Sequence, residues 1–177
     1  MLYFIAIVAP AEINDPVLVW KKYMEEQYGC TVALRSPAHI TLVPPFTMKE
    51  DRENELGEYL QQFSSAEKSF TINLKDFDNF KPRVIFLHVE PGEALLQLKE
   101  RLELYLLSLE KFPVKKEERP FHPHITIANR DLNKKDFPKA WAYFQSLSFS
   151  ATFTADSIYL LKHNNKEWEM AARFPLI

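Results

Sequence analysis

The chain lacks a second cysteine, an apolar run long enough to cross a membrane, and a charge excess of either sign. Each absence removes a class of protein. With Cys30 alone among 177 residues, no intramolecular disulfide can form, which fits a reducing compartment. Cys30 follows Tyr28-Gly29 where a helix exit leads into a strand, and reads as a small apolar filler rather than a nucleophile. The run Leu2 to Ala9 is apolar but short, has no basic flank and meets Pro10 at once. It is therefore expected to be a buried strand, neither a signal peptide nor a membrane span. A soluble, cytoplasmic protein without membrane association follows as the expectation. The net charge of −2, from 22 basic and 24 acidic side chains, excludes coating of duplex nucleic acid by bulk charge, which takes many phosphate contacts. A short or end-on nucleic-acid substrate held by a few basic groups stays open.

What is present is core material. Hydrophobic residues make up 46% of the chain and aromatics 14%, enough to exclude intrinsic disorder. The length suits one domain, residues 1–177, built of two coupled lobes. After the first strand, Asn14-Asp15-Pro16 signals a helix start. Val17, Trp20, Met24 and Tyr28 then recur at helical spacing up to Gly29, a C-terminal cap. A strand from Ala38 to Val43 is expected to stop at Pro44-Pro45. An amphipathic helix spans 49–63. Period-two alternation marks a strand around Phe70–Lys75, followed by a turn over Asp78–Pro82 and a partner strand from Arg83 to Val89. The strongest helix covers 93–110. A loop from Phe112 to Pro120, a strand from Pro123 to Ala128, a helix from Asp136 to Phe144, and a terminal pair, 149–161 and 167–174, complete the chain. One crude strand-and-helix pattern is written twice, which predicts an α+β architecture with two related lobes.

Each half carries the same four-residue word: His39-Ile40-Thr41-Leu42 and His124-Ile125-Thr126-Ile127, starting 85 residues apart (124 − 39). Successive strand residues face opposite ways, so His and Thr share one face over an apolar underside. Two HxTx words in a chain of this size, with hydrophobic x, resemble the 2H phosphoesterase superfamily, which includes bacterial 2′-5′ RNA ligase-like proteins and cyclic nucleotide phosphodiesterases. The flanks agree: Arg35-Ser36-Pro37-Ala38, Phe121-His122-Pro123, the Phe80–Leu87 segment and the closing Ile158-Tyr159-Leu160-Leu161 with Trp168.

The resemblance implies a bilobal fold of two pseudo-symmetric antiparallel-sheet lobes, helices outside and a cleft between. It also implies a metal-independent phosphodiesterase or RNA-end-processing enzyme. His39 and His124 would act as general base and acid, and Thr41 and Thr126 would bind the phosphate oxygens. That scheme requires no metal and no cofactor. The expected partner is a small 2′,3′-cyclic or 2′-5′ phosphodiester or an RNA end, and a monomer is expected. Which histidine is base, and whether hydrolysis or ligation is favoured, is open at this point.

Around the motifs, Arg35 and Arg130 lie where strand parity could aim them at a phosphate; exposed surface roles compete. Phe121 and Phe46 flank the motifs and could stack on a base, against a core role. Tyr159 and Lys162 fall where the superfamily often contacts substrate, with no independent signal here. His122 and His124 form an HxH pair, but zinc would want three or four ligands and no Cys pair or acidic triad accompanies them. His88 and His163 read as structural or surface residues. Lys115-Lys116 and Lys134-Lys135 read as solvated loop charge. A non-catalytic RNA-binding module and a metal-dependent hydrolase using His122 and His124 are the competing functions.

Overall fold

A computed structural model describes residues 1–177. The apolar N-terminal run forms β1 (Leu2–Val8), buried along most of its length. Helix α1 (Ala11–Tyr28) starts a turn before Asn14-Asp15-Pro16, with Pro10 at its cap and Pro16 inside it. Asn14 is thereby freed from capping: its side-chain oxygen accepts the Ala38 N–H at 2.8 Å. Gly29 ends the helix in the left-handed region at φ 71°, a conformation that favours glycine.

The first motif opens β2 (His39–Thr47). The expected stop at Pro44-Pro45 does not occur. β2 is the edge of its sheet, where an imino acid forfeits no ladder hydrogen bond, so the strand runs on to Thr47. Helix α2 (Glu53–Ser64) leads to β3 (Phe70–Phe80), which passes through the expected turn at Asp78, and reversal comes only at Lys81–Arg83 before β4 (Val84–Val89). Helix α3 (Glu93–Ser108), β5 (His124–Ala128) and α4 (Phe137–Gln145) fall close to their expected positions. The expected strand over 149–161 is two strands, β6 (Ser150–Ala155) and β7 (Ser157–His163), broken at Asp156, and β8 (Trp168–Pro175) closes the chain.

That break decides the architecture. The strands form two antiparallel four-stranded sheets, ordered β2-β1-β7-β8 and β5-β4-β3-β6. β6 joins the second sheet through β3, and β7 joins the first through β1. The lobes are therefore not the two halves of the sequence: the first takes both ends of the chain, the second its middle. The orders correspond position by position, and the two motif strands are equivalent edges that meet each other across the molecule.

The helices lock the lobes together. α1 joins two strands of the first sheet, yet its Trp20 packs edge-on against Phe77 and Phe149 of the second lobe at 4.8 and 5.0 Å. α3 joins two strands of the second sheet and packs against β2 of the first. One cluster of 42 buried hydrophobic residues runs through both lobes, so the two sheets share their main core. No helix is long and apolar enough to cross a membrane.

Below the motifs, Ile40, Leu42, Ile125 and Ile127 are buried, each at 1% exposure or less, while the His and Thr residues between them are partly open. Ile40→Ala or Ile125→Ala is expected to cost about 2–5 kcal/mol in urea unfolding, whereas Thr41→Ala and Thr126→Ala change stability by less than about 1 kcal/mol. Equal costs for the two faces would contradict the assignment of the underside as core.

Candidate active site

Edge position, register and local bulges together aim the motif residues. His39 and Thr41 stand opposite Val8 and Ala6 on β1; His124 and Thr126 stand opposite His88 and Phe86 on β4. In both strands the register slips by one residue immediately after the threonine, at Leu42 and at Ile127. Such a β-bulge bends its strand and re-aims the neighbouring side chains. The same irregularity at the same place in both lobes turns both His-Thr faces toward the gap between the sheets.

Each imidazole is fixed by the same contact. His39 Nδ1–H donates to the Pro37 carbonyl at 2.7 Å, and His124 Nδ1–H donates to the His122 carbonyl at 2.7 Å. A carbonyl can only accept, so the neutral ring carries its proton on Nδ1 and leaves the Nε2 lone pair free. Aromatic rings support the imidazoles: Phe4 lies 4.8 Å from His39, and Phe86 and Phe80 lie 5.0 and 5.2 Å from His124.

The floors differ in polarity. Beneath His39 sits a separate apolar cluster of Phe4, Ala6 and Leu161 with Val8, Tyr159 and Trp168 against it. Burial there pushes the His39 pKa down to about 4; the positive charge of Lys21 and the neighbouring His124 act in the same direction, and the bond to Pro37 opposes them. Burial also lowers the His124 pKa, with His122 adding to it and the hydrogen bond to the His122 carbonyl opposing. Both rings are thus held toward the neutral, proton-accepting form.

Two cavities meet at Thr41. One, of about 230 Å³, is lined by His39, Thr41, Thr126, Asn129, Arg130 and Trp168, among others. The other, of about 470 Å³, is lined by Thr41, Phe80, Arg119, Phe121, His122 and His124, among others. A third hollow, of about 650 Å³, continues past Pro44 and Arg119 to Lys115 and Lys116.

The structure brings His39, Thr41, His124, Thr126, Arg130 and Phe121 to this connected cleft and leaves Arg35 outside it. Residues 32–35 form a 3₁₀ turn rather than a strand, so strand parity does not reach Arg35, which lines a separate hollow beside Lys21 and Pro37. Phe46 is core, stacked on Tyr3 at 6.2 Å. Lys162 is held by Glu50 and Glu53. Tyr159 packs beside Phe4 in the floor cluster. Cys30 is buried, and burial pushes its thiol up to about 11, which suits filler and not a nucleophile.

Several residues that shape the site gave no signal in the sequence. The buried Lys21 donates to the Ser36 carbonyl at 2.9 Å, and burial lowers its pKa to about 8. The Asp131 carboxylate accepts the Thr31 and Val32 N–H groups at 2.6 and 2.9 Å. With Asn14 on Ala38, three side chains hold the segment leading into His39. Asn129 lines the smaller cavity, and its side-chain oxygen is buried with no hydrogen-bond partner.

The fold and the paired motifs define a two-histidine phosphoesterase architecture. Residues 10–167 match the 2′-5′ RNA ligase superfamily, and the chain belongs to that family. It is 32% identical to an RNA 2′,3′-cyclic phosphodiesterase of Thermotoga maritima over 80% of this chain and 74% of that protein. It is 27% identical to an RNA 2′,3′-cyclic phosphodiesterase of Bacillus subtilis over 98% of this chain and 96% of that protein. Among solved structures, Escherichia coli LigT complexed with 3′-AMP superposes with a TM-score of 0.66 at 21% identity, covering 98% of this chain and 97% of that one. Apo LigT gives a TM-score of 0.69 at 23% identity, over 99% and 96% of the two chains.

The depressed His39 pKa has a stability consequence. An unfolded histidine takes up its proton near pH 6.5, whereas folded His39 stays neutral down to about 4. Between those values the unfolded chain binds more protons, so stability falls as the pH drops through the window. From pH 7 to 4.5 the wild type should lose about 1–3 kcal/mol more than His39→Gln in urea unfolding. Parallel curves for the two proteins would show that the ring is not desolvated.

Proposed function

We propose that the chain hydrolyses the 2′,3′-cyclic phosphate at an RNA end. The observation that carries the reading is the pair of imidazoles, each with Nδ1 anchored to a backbone carbonyl, beside two threonines on facing strands of one cleft. Both lone pairs are Nε2, so each ring presents a single proton-transfer atom to whatever occupies the cleft.

His39 takes the part of the base. It borders the smaller cavity, which suits a water beside the phosphate, and burial leaves it unprotonated at neutral pH. Its Nε2 takes a proton from that water as the new P–O bond forms. His124 borders the larger cavity with Phe80 and Phe121, whose rings suit the ribose and base that carry the cyclic phosphate. The phosphate's negative charge favours a proton on this less enclosed ring. His124 Nε2 gives that proton to the departing ribose oxygen as the cyclic P–O bond breaks, leaving a phosphomonoester. Thr41 and Thr126 donate their hydroxyl hydrogens to the non-bridging oxygens, where charge builds. Arg130 adds a positive charge to the same cavity. Ligation is the same path with a 5′-hydroxyl attacking in place of water: the new P–O bond forms to that oxygen, the same cyclic P–O bond breaks, and base and acid keep their roles. No step calls on a metal.

The test uses two substrates. On a 2′,3′-cyclic nucleotide, His39→Ala and His124→Ala should each lower kcat by about 10²–10⁴, and Thr41→Ala or Thr126→Ala by about 10–10³, with full wild-type activity in a chelator. On an aryl phosphodiester whose phenolate leaves without protonation, His124→Ala should recover most of its rate and His39→Ala should not. Rescue of His39→Ala instead would reverse the two roles, and wild-type rates in both alanine variants would remove the mechanism.

A further inference from the structure

The two lobes present equivalent frames with different floors, and the difference is a cluster of metal-binding side chains. Opposite His39 the neighbouring strand carries Val8; at the equivalent place opposite His124 it carries His88. Asp78 on β3 stands opposite Phe86, one diagonal step from His88 on the same sheet face, within reach of long side chains. His122, just before β5, closes the group. One donor atom from each of Asp78, His88 and His122 lies within 4.8 Å of the other two.

We propose that Asp78, His88 and His122 bind a divalent transition-metal ion of the zinc, cobalt or nickel type. Two imidazoles and one carboxylate form a donor set for such ions, not for magnesium or calcium, which take oxygen ligands. Zinc bonds of about 2.0–2.1 Å in tetrahedral geometry put donors about 3.4 Å apart. The three side chains therefore need to close by at most about 1.4 Å, and Asp78 and His122 are exposed; Asp78 Oδ1 accepts the Asn79 N–H at 2.7 Å, which leaves the second carboxylate oxygen for the ion. Nδ1 of His88 is buried without a hydrogen-bond partner, a condition that costs free energy unless something occupies it. No lysine or arginine pairs with Asp78, so its charge is left for a cation, and the same carboxylate repels an oxyanion. Neither His39 nor His124 contributes a donor. The site is thus distinct from the proposed proton-transfer pair and stands whether or not that mechanism holds.

The experiment is titration of the tag-free, metal-stripped chain with Co²⁺, read by visible d–d absorption, and with Zn²⁺ by calorimetry. One equivalent should bind, unaffected by excess Mg²⁺. Affinity should fall at least tenfold in Asp78→Ala and in His122→Ala, and stay unchanged in His39→Ala and His124→Ala. Asp78 and His122 are exposed, so those two variants should fold, with circular dichroism as the check. The proposal is overturned by absence of a saturable Co²⁺ signal, by wild-type affinity in Asp78→Ala, or by loss of binding in His124→Ala, which would move the ion to the His122-His124 pair.

Discussion

The contact on which the site depends is the hydrogen bond from each motif imidazole to the carbonyl two residues before it. Without it, a histidine on an edge strand is free to turn its ring and change tautomer. With it, the proton is committed to Nδ1 and the lone pair to Nε2, in both lobes alike. The bond requires an extended approach to the strand, and a proline stands in each approach, at Pro37 and at Pro123. Proline fixes its own φ and holds the preceding residue out of the helical region. Elsewhere the fold keeps these carbonyls in place. In the first lobe Lys21, Asn14 and Asp131 tie down residues 31–38. In the second, the His122 ring packs edge-on against Phe80 and Phe86 at 5.0 and 5.6 Å.

How much of this was legible follows from the range of the interactions. The pairing of His with Thr over an isoleucine underside is a period-two pattern, local in sequence, and it holds in both strands. The bulges after Thr41 and Thr126 are not local, because a bulge is a relation between two strands and neither β1 nor β4 encodes it alone. Asp131 serves residues 100 positions away, a partnership no window of sequence contains. Arg35 and Arg130 make the contrast sharp. Both lie four residues from a motif residue, yet only Arg130 borders the cleft, because the chain before His39 coils into a 3₁₀ turn.

The lobes show the same limit at larger scale. Residues 149–161 read as one strand of β-forming residues, and only a local mark, the polar Asp156-Ser157 pair where the apolar alternation changes phase, lies where the chain leaves one sheet for the other. The choice is made by partners: β6 finds β3, and β7 finds β1. Sequence repetition therefore suggested two related units correctly but divided them in the wrong place. The structural symmetry relates positions within sheets, not halves of the chain.

That symmetry also accounts for an otherwise awkward feature, the exposure of both motif strands as sheet edges. Unpaired edge strands are a liability, since they offer a ladder to any passing strand. Here the two edges meet across the cleft, one is only five residues long, and the other carries Pro44-Pro45 along its outer half, where no N–H is available to a partner. Burying either motif strand in the middle of its sheet would remove the liability but close the gap between the two His-Thr faces. The open edges and the cleft are the same structural fact, and the prolines and short length restrain its cost.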